Sequence, residues 1–388
     1  MRENGAVTPA LADRAALGDP ARAHRVVVKI GSSSLTDDVG RLDVVKLTAL
    51  VDVLARRRAA GGQVVLVSSG AIAAALTVLG LNRRPKDLAT AQAAASVGQG
   101  LLVAHYTRAF AAHQLHVGQV LLTAEDVIRR SHYHNAQRAL NRLLALGVVP
   151  IVNENDTVAT DEIRFGDNDR LAALVSHLVR ADALVLLTDV DALYDGPPSR
   201  PGSRRIARVD GPQDVEGIEV TSGGSTVGTG GMVTKLGAAA IASGSGVPVV
   251  LTSAANAGAA LAGEDVGTWF SSTGRRIQTR RLWLAHAAHT RGRVVLDDGA
   301  VRAITQGKKS LLAAGIVGVE GDFEAGDPVE LSGLDGVVVA RGLVAYSADE
   351  LPERMGRTSG ELRERFGDGN DREVVHRDDL VVTRSFRR

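Results

Sequence analysis

From residue 24 to about residue 270, short apolar runs rich in β-branched residues alternate with longer segments of helical periodicity. Most of these runs lack polar alternation, which is typical of strands covered by helices on both faces. The pattern predicts an α/β fold, a three-layer sandwich around a mainly parallel sheet. The predicted strands are residues 25–30, 63–68, 117–122, 148–153, 183–188 and 247–252, and the predicted helices are 43–58, 88–113, 134–146, 168–179 and 232–243.

A second pattern follows a basic, irregular stretch at residues 271–291. Short strands there are separated by Gly-Asp and Asp-Gly turns, which is typical of a small β-rich barrel or sandwich. These strands are predicted at 293–296, 315–320, 328–331, 337–341 and 344–346. The two patterns predict a mobile extension at 1–23, an α/β domain at 24–275, a linker at 276–290, a β-rich domain at 291–372 and a tail at 373–388.

Composition narrows the class of protein. Of the 388 residues, 45% are hydrophobic and 23% charged, as in an ordinary globular protein. The 45 basic and 44 acidic residues nearly balance, so no overall charge draws the molecule to nucleic acid or to an anionic membrane. The absence of cysteine excludes disulfides and thiolate chemistry and favours a reducing, cytoplasmic location. The longest strongly apolar stretch, residues 71–81, is too short to span a membrane.

Ligands of parallel sheets bind beyond the carboxyl ends of the strands, so the loops at those ends are the candidate sites. The first strand has Lys29 at its end and is followed by Gly31 and Ser32. The ammonium, open backbone and hydroxyl of these residues suit phosphate oxygens. The second leads into Ser69 and Gly70 at the start of a helix, where an anion would meet backbone amides. Taken alone, the first loop also fits a Gly-Ser turn with a surface lysine, and the second a simple helix N-cap.

Two polar clusters follow the fourth strand, at residues 153–157 and 166–169. Their carboxylates and carboxamides put several acceptors in a small space, which suits an ammonium group or a magnesium ion. A solvated loop would account for the acids, but not for their dense mixing with asparagine beside an apolar strand. The candidate ligands are Asn153, Asp156, Asp167, Asn168 and Asp169.

A glycine-rich loop at residues 228–235 leads into an Ala-rich helix, and Thr188 and Asp189 end the fifth strand. Glycines let backbone amides close on a phosphate, while the helix N-terminus and Lys235 add positive charge. A flexible linker is the alternative. The loop is not a P-loop, because no Gly-Lys-Ser or Gly-Lys-Thr ends it, and Val233 stands where a dinucleotide fingerprint has its third glycine.

Two lysines on separate glycine-containing loops, beside a carboxylate and amide cluster, make a site for ATP and a small zwitterionic acceptor. This combination favours phosphoryl transfer, which depends on positioning and charge neutralisation. A carboxylate acceptor is already ionised at neutral pH and needs no general base. We expect Lys235 to lie exposed on its loop, so that Lys235→Ala removes most of kcat with little loss of stability.

Seven strings, in this order and spacing, resemble the amino acid kinase family: VVKIGSSSL, VSSGAIA, VGQVLLT, PIVNENDTVAT, FGDNDRLAALV, LLTDVDALY and GTGGMVTK. The resemblance extends from residue 24 to the C-terminus, where VEGDFEAGDPVEL and ARGLVAYSADEL resemble a PUA domain. It implies the amino acid kinase fold and ATP-dependent phosphorylation of the side-chain carboxylate of L-glutamate. The product would be L-glutamyl 5-phosphate, in the first step of L-proline biosynthesis.

The resemblance also implies roles for individual residues. Lys29 and Lys235 would contact the phosphates and stabilise the transferring group, and Asp169 would hold both lysines in place. The glutamate-binding positions are matched by Ser69, Asp156 and Asn168, with Gly70, Asn153 and Asp167 nearby. The ATP-binding positions are matched by Lys29, Gly31, Ser32, Thr188, Asp189, Thr229, Gly230, Gly231, Met232, Val233, Thr234 and Lys235. Magnesium would accompany ATP, but the sequence does not assign its ligands.

The resemblance further implies a homo-oligomer, a dimer or tetramer built through the kinase domain. It implies feedback inhibition by proline and delivery of the labile acyl phosphate to glutamate-5-semialdehyde dehydrogenase. The chain departs from the family pattern in two places: Ser68 stands where threonine is frequent, and the first 23 residues have no counterpart.

Two other functions remain open from the residues alone. Within the same fold, the acceptor could be aspartate, acetylglutamate, carbamate or a nucleoside monophosphate, although a phosphate acceptor would favour arginines over Asp156 and Asn168. The PUA-like domain makes RNA binding the second candidate function. Residues 291–388 contain 15 Lys and Arg against 18 Asp and Glu, a net charge of −3, with single scattered aromatic residues, which disfavours a nucleic-acid surface.

Overall fold

The structure is a computed structural model, and it describes residues 11, 13–123, 126, 130–158, 168–197, 200, 202–215, 218, 231–272, 284, 290–307, 309–367 and 372–382. The chain divides into two compact units, residues 1–279 and 280–388. Each unit has a hydrophobic core built from its own residues. Within the described ranges, no helix combines the length and apolarity needed to cross a lipid bilayer.

The first unit is built on one twisted sheet. Its described strands are β1 (Arg25–Ile30), β2 (Gln63–Ser68), β3 (Val117–Leu122), β4 (Val149–Glu154), β5 (Ala183–Thr188), β6 (Arg208–Val209), β7 (Val249–Ser253) and β8 (Thr268–Phe270). They are arranged in the order β3-β4-β2-β1-β5-β7-β8-β6. Neighbouring strands are parallel except β7 and β8, which run antiparallel.

Helices cover the sheet, since β4 and β5 are buried along their whole length. The described helices of this unit are α1 (Val44–Ala59), α2 (Ala71–Leu76), α3 (Leu88–Ala111), α4 (Arg130–Ala145), α5 (Asn168–Leu178), α6 (Met232–Gly244) and α7 (Ala257–Leu261). The carboxylates of Asp43 and Asp87 cap α1 and α3 by accepting hydrogen bonds from first-turn amides. The predicted α/β class with a mainly parallel sheet is confirmed.

The predicted boundaries are close to the observed ones for the long elements. Strands β1, β2, β3 and β5 have the predicted residues, while β4 and β7 are displaced by one or two residues toward the C-terminus. The antiparallel β8 and the two-residue β6 were not predicted, because two or three residues are too few to establish an alternating or continuous apolar pattern.

The segment before β1 packs on the first unit. Leu17 and Ala23 are fully buried. Arg57 of α1 is buried beside them, and its guanidinium donates to the carbonyls of Leu17, Ala23 and Leu261. Residues 13–23 are therefore part of the domain, in contrast to the mobile extension expected for 1–23. The composition of the segment does not indicate its burial, because the buried arginine that binds it lies on a helix more than 30 residues further along the chain.

The second unit has a five-stranded sheet and two short helices in its described residues. The strands are β9 (Gly292–Leu296), β10 (Ile316–Gly321), β11 (Pro328–Ser332), β12 (Val338–Leu343) and β13 (Leu380–Val382), in the order β10-β9-β11-β12-β13, and the helices are α8 (Asp298–Thr305) and α9 (Ser359–Phe366). Strands 337–341 and 344–346 were predicted separately, but only β12 forms there. Val344 and Tyr346 instead fill the core from a turn.

The expected tail at 373–388 also differs in its described part. Val374 and Val375 are fully buried, and β13 pairs with β12, so residues 373–382 belong to the β-rich unit. The expected linker at 276–290 lies outside the described residues except for positions 284 and 290.

Candidate active site

The carboxyl ends of the central strands meet at one edge of the sheet. Ile30, the last residue of β1, pairs in register with Ser68 of β2 and Leu187 of β5. The pairing of β2 with β4 brings Asn153 to the same level. The ends of four strands that are distant in sequence therefore lie side by side, which is where a ligand of a parallel sheet is expected.

Two lysines share one carboxylate at this edge. Nζ of Lys29 lies 2.5 Å from Oδ1 of Asp169, and Nζ of Lys235 lies 3.4 Å from its Oδ2. All three side chains are less than a tenth exposed. Burial by itself raises the pKa of Asp169, but the charges of Lys29 and then Lys235 outweigh burial and hold that pKa below its usual value. The cluster keeps a net positive charge, which suits an anionic ligand.

Each member of this cluster comes from a different element. Lys29 is the penultimate residue of β1, and a Cβ added to Gly31 would lie 3.6 Å from its Nζ, so the glycine leaves space beside the ammonium. Asp169 lies in the first turn of α5. Lys235 was expected to be exposed, but it is buried on the first turn of α6. The predicted helix start at Met232 is confirmed, and the packing of α6 against α5 buries the lysine.

Asn168 is the centre of a second, neighbouring cluster. Its Nδ2 donates to Oγ of Ser69 and to Oδ1 of Asn153, both at 2.9 Å, and lies 3.3 Å from the carbonyl of Ser68. Within the described residues, the buried Oδ1 of Asn168 accepts no hydrogen bond. A buried acceptor without a donor is costly, so this oxygen is suited to a ligand that donates, such as an ammonium group.

The loop between β2 and α2 is held in a defined conformation. The amide of Ser69 donates to the carbonyl of Ile30 at 3.3 Å. Gly70 follows with φ of +99°, in the left-handed region that favours glycine. A Cβ added to Gly98 of α3 would lie 1.7 Å from the carbonyl oxygen of Ala71, so α3 directly contacts the start of α2.

Two of the predicted phosphate-binding loops lie within the described residues. The amide of Gly31 donates to the carbonyl of Leu187 at 3.3 Å, and Ser32 is the N-cap of a short 3-10 helix, Ser33–Leu35. At the end of β5, the hydroxyl of Thr188 donates to Asp189 at 2.8 Å. The first of these loops is thereby joined to the end of β5, so both candidate phosphate-binding segments lie at the same end of the strands.

The start of α6 provides a helix N-terminus at the lysine cluster. Gly231 is its N-cap, and a Cβ there would meet no atom within 4 Å. The hydroxyl of Thr234 donates back to the carbonyl of Gly231 at 2.8 Å, while Met232 and Val233 start the helix, Val233 with 61% of its surface exposed. The open glycine and the helix dipole favour an anion beside Lys235.

The structure brings six of the predicted site residues together in two neighbouring clusters. Lys29, Asp169 and Lys235 form one cluster, and Ser69, Asn153 and Asn168 form the other. Asp156 is half-buried in the turn after β4. The predictions for Asp167, Thr229 and Gly230 lie outside the described residues.

One residue at this site was missed from the sequence. Oη of Tyr106, in the C-terminal half of α3, lies 2.8 Å from Oγ of Ser68. An aromatic residue within a long helix carries no local signal of a polar contact, and it is more often a plain core residue. Only the packing of α3 across the end of β2 brings the two hydroxyls together.

Comparison with known proteins identifies the fold family. The model of the amino acid kinase family matches residues 24–253, more than half of the chain, and the PUA domain model matches residues 292–366. The chain belongs to the amino acid kinase family. As a member of that family with a PUA domain, it has the two-part organisation that its two structural units indicate.

Relatives within the amino acid kinase family extend over nearly the whole chain. Glutamate 5-kinase from Streptomyces coelicolor is 63% identical over 370 residues, covering 95% of this chain and 98% of its own. Glutamate 5-kinase from Thermobifida fusca is 62% identical, covering 94% and 95%. Among solved structures, carbamate kinase from Giardia lamblia bound to AMP-PNP has a TM-score of 0.48 at 18% identity, covering 65% of this chain and 99% of its own.

Proposed function

We propose that this protein is an ATP-dependent kinase that phosphorylates the side-chain carboxylate of L-glutamate. The γ-phosphoryl group of ATP is transferred to a carboxylate oxygen, giving L-glutamyl 5-phosphate and ADP, the first step of L-proline biosynthesis. One observation carries this proposal: the Lys29–Asp169–Lys235 cluster and the Asn168 cluster meet at Asn168 and Asp169, adjacent residues on one helix turn. The 63% identity to glutamate 5-kinase from Streptomyces coelicolor supports the choice of acceptor.

The lysines neutralise charge on the phosphoryl group. A carboxylate oxygen attacks the γ-phosphorus as the bond to the bridging oxygen of ADP breaks, so negative charge spreads over the transferring group. Lys29 and Lys235 supply two ammonium groups that Asp169 positions in a buried setting, where such charges act strongly. The acceptor carries no proton at neutral pH, and no general base is required.

The Asn168 cluster would bind the amino acid end of glutamate. Oδ1 of Asn168 is suited to accept from the α-ammonium group, while Ser69 and Asn153 orient the carboxamide. Asp156 and Asp167, with Gly70, are assigned to the same subsite on the family resemblance. Because the two clusters share one helix turn, the acceptor would be held next to the lysines, and the gain from such positioning is large.

The nucleotide would bind along the loops after β1 and β5 and at the start of α6. Gly31, Ser32, Thr188 and Asp189 are assigned to it there. The segment from Thr229 through Gly230, Gly231, Met232, Val233 and Thr234 to Lys235 completes this assignment. The positive end of α6 and the open backbone at Gly231 support it.

Magnesium belongs to the proposal as the companion of ATP. Across the described ranges, no group of three or more His, Asp or Glu side chains could hold a metal ion. The buried Asp169 is held by two ammonium groups instead. These residues do not fit a resident magnesium site, so we place the ion on the phosphates of the nucleotide, as part of the substrate.

The test is an ATP- and magnesium-dependent assay in which hydroxylamine traps the acyl phosphate. L-Glutamate, L-aspartate and N-acetyl-L-glutamate are offered in parallel, and we expect product with L-glutamate alone. Asn168→Ala should raise the KM for glutamate, whereas Asn135→Ala, at an exposed position of α4, should behave as the parent. Product with another acceptor, or none from folded protein, would reject the proposed substrate.

The proposal extends to regulation and assembly. On the family resemblance, the protein forms a dimer or tetramer, is inhibited by proline, and passes its labile product to glutamate-5-semialdehyde dehydrogenase. Activity measured against added proline tests the second point, and an unchanged rate at excess proline would reject it. Light scattering of the purified protein tests the first, and a monomer at micromolar concentration would reject it.

A further inference from the structure

We propose that Tyr106 is a positioning residue for the glutamate subsite, acting through Ser68 on Ser69. The inference rests on the proposed function and adds a residue from α3 that lies outside the loops where the substrate would bind. It is carried by a chain of hydrogen bonds that leads from the interior of the first unit to the Asn168 cluster.

The direction of this chain follows from the number of protons available. Oγ of Ser68 donates its single proton to the carbonyl of Ser69 at 3.0 Å. Its contact with Oη of Tyr106, at 2.8 Å, must then use the tyrosine proton. Tyr106 therefore donates to Ser68, and Ser68 donates to Ser69. Burial raises the pKa of Tyr106, which keeps this donor protonated at all physiological pH values.

The end of this chain is the peptide group that sets the position of the subsite. The carbonyl of Ser69 belongs to the peptide bond before Gly70, where the backbone turns into its left-handed conformation. Fixing this carbonyl fixes the orientation of Ser69, whose Oγ accepts from Asn168 at 2.9 Å. The carbonyl of Ser68 also lies 3.3 Å from Nδ2 of Asn168. Tyr106 thus supports both Ser68 and Ser69, the two residues of this segment that contact Asn168.

Tyr106 lies on a helix that packs closely at both ends of the β2–α2 loop. Tyr106 and Ser68 are both fully buried, so their hydroxyls must find hydrogen-bond partners inside the protein, and each contacts the other. Helix α3 is pressed against the start of α2 at Gly98, where no side chain would fit. The helix therefore contacts the two residues that flank the β2–α2 loop, Ala71 through Gly98 and Ser68 through Tyr106.

Tyr106→Phe and Ser68→Ala test the proposal with the trapping assay on full-length protein. Each should raise the KM for L-glutamate about fivefold, the equivalent of roughly one hydrogen bond, with the KM for ATP and kcat within about twofold. The double variant should be no worse than Ser68→Ala, because both changes break one chain. Ser68→Thr keeps the hydroxyl and should keep the parental KM.

Ser245→Ala is the matched control, since it removes another fully buried hydroxyl, one that donates to Ala242 at 2.7 Å just after α6. It should leave the KM for glutamate unchanged. If Tyr106→Phe and Ser68→Ala lower the melting temperature but leave the KM values unchanged, the Tyr106–Ser68–Ser69 hydrogen bonds have only a structural role, and the proposal is overturned. Equal increases for glutamate and ATP would also overturn it. An inactive parent enzyme would instead reject the proposed function itself.

Discussion

At the scale of single residues, Asp169 controls the charge of the site. It is almost completely buried between two ammonium groups, and an isolated carboxylate there would be strongly disfavoured. The two lysines in turn avoid repelling each other at close range because the carboxylate lies between them. This mutual dependence explains how two buried cations are kept ready for an anionic substrate.

Lys235→Ala should reduce kcat by roughly 10²- to 10³-fold, as for the loss of one group that stabilises transition-state charge. The burial of Lys235 changes the expectation for stability. We expect a loss of roughly 1–2 kcal/mol in unfolding free energy, limited because Lys29 still pairs with Asp169. Kinetics and chemical denaturation measure the two effects. Lys86→Ala, at an exposed position, is the control, and a kcat for Lys235→Ala within a few-fold of the parent would contradict the assigned role.

The depressed pKa of Asp169 predicts a pH dependence of stability. The folded-state pKa lies below the ordinary value of 3.8, so the stabilisation is fully present above that pH and is lost as pH falls through the folded-state pKa. The difference in unfolding free energy between the parent and Asp169→Asn should be constant from pH 7 to about pH 5 and shrink below about pH 4. Urea denaturation at several pH values measures it. A difference that shrinks already between pH 7 and 5 would show that Asp169 titrates higher.

At the scale of elements, the contact between α2 and α3 supports the substrate loop. The backbone of α3 approaches so closely at Gly98 that a Cβ would overlap the carbonyl of Ala71, whereas a Cβ at Gly100 would meet nothing within 4 Å. The two glycines lie two residues apart on one helix. Substitutions at these two positions therefore distinguish the close helix approach that requires glycine at Gly98 from the general cost of a glycine within a helix.

Gly98→Ala should destabilise the protein by about 3 kcal/mol or more, because backbone must move to admit the methyl group. Gly100→Ala should instead stabilise it by about 0.5–1 kcal/mol, since alanine is the better helix former. Thermal unfolding of both variants compares them directly. Equal behaviour of the two would show that α3 does not press on α2 as described.

At this scale, the short strands and the segment held by a buried polar contact could not be predicted from the sequence. The apolar runs of β1, β2 and β5, and the shorter apolar groups of β3, were sufficient to place those strands to the residue. Strands β6, β8 and β13 contain three residues or fewer, and their pairing partners, rather than any pattern of their own, make them strands. The segment of residues 13–23 was likewise misread, because its burial depends on Arg57 of α1.

At the scale of the whole molecule, the two units are separate in their cores. Phe323, Tyr346 and Leu351 belong to a cluster made only of residues from the second unit. Arg354 adds to this core from its edge, with its guanidinium 4.6 Å from the ring of Tyr346 and 4.7 Å from that of Phe366. The second unit thus contains the interactions that its own folding needs.

Residues 290–388 expressed alone should therefore fold. We expect a single cooperative thermal transition, with a native-like near-ultraviolet circular dichroism signal. Phe323→Ala in the same fragment removes a fully packed ring and should lower the melting temperature strongly. A broad transition with strong binding of a hydrophobic dye would contradict independent folding.

The order of the long strands and helices of the first unit, the two-part organisation and the loops that carry the site were determined by the sequence itself, because each depends on local periodicity or on a short run of glycine, hydroxyl and charged residues. The tertiary structure alone decided that Lys235 is buried and that the hydroxyls of Tyr106 and Ser68 are in contact, and it gives the distances that place Asp169 between the two lysines. These are distances between groups from distant segments. They depend on strand register and helix packing, and no local pattern of residues encodes them.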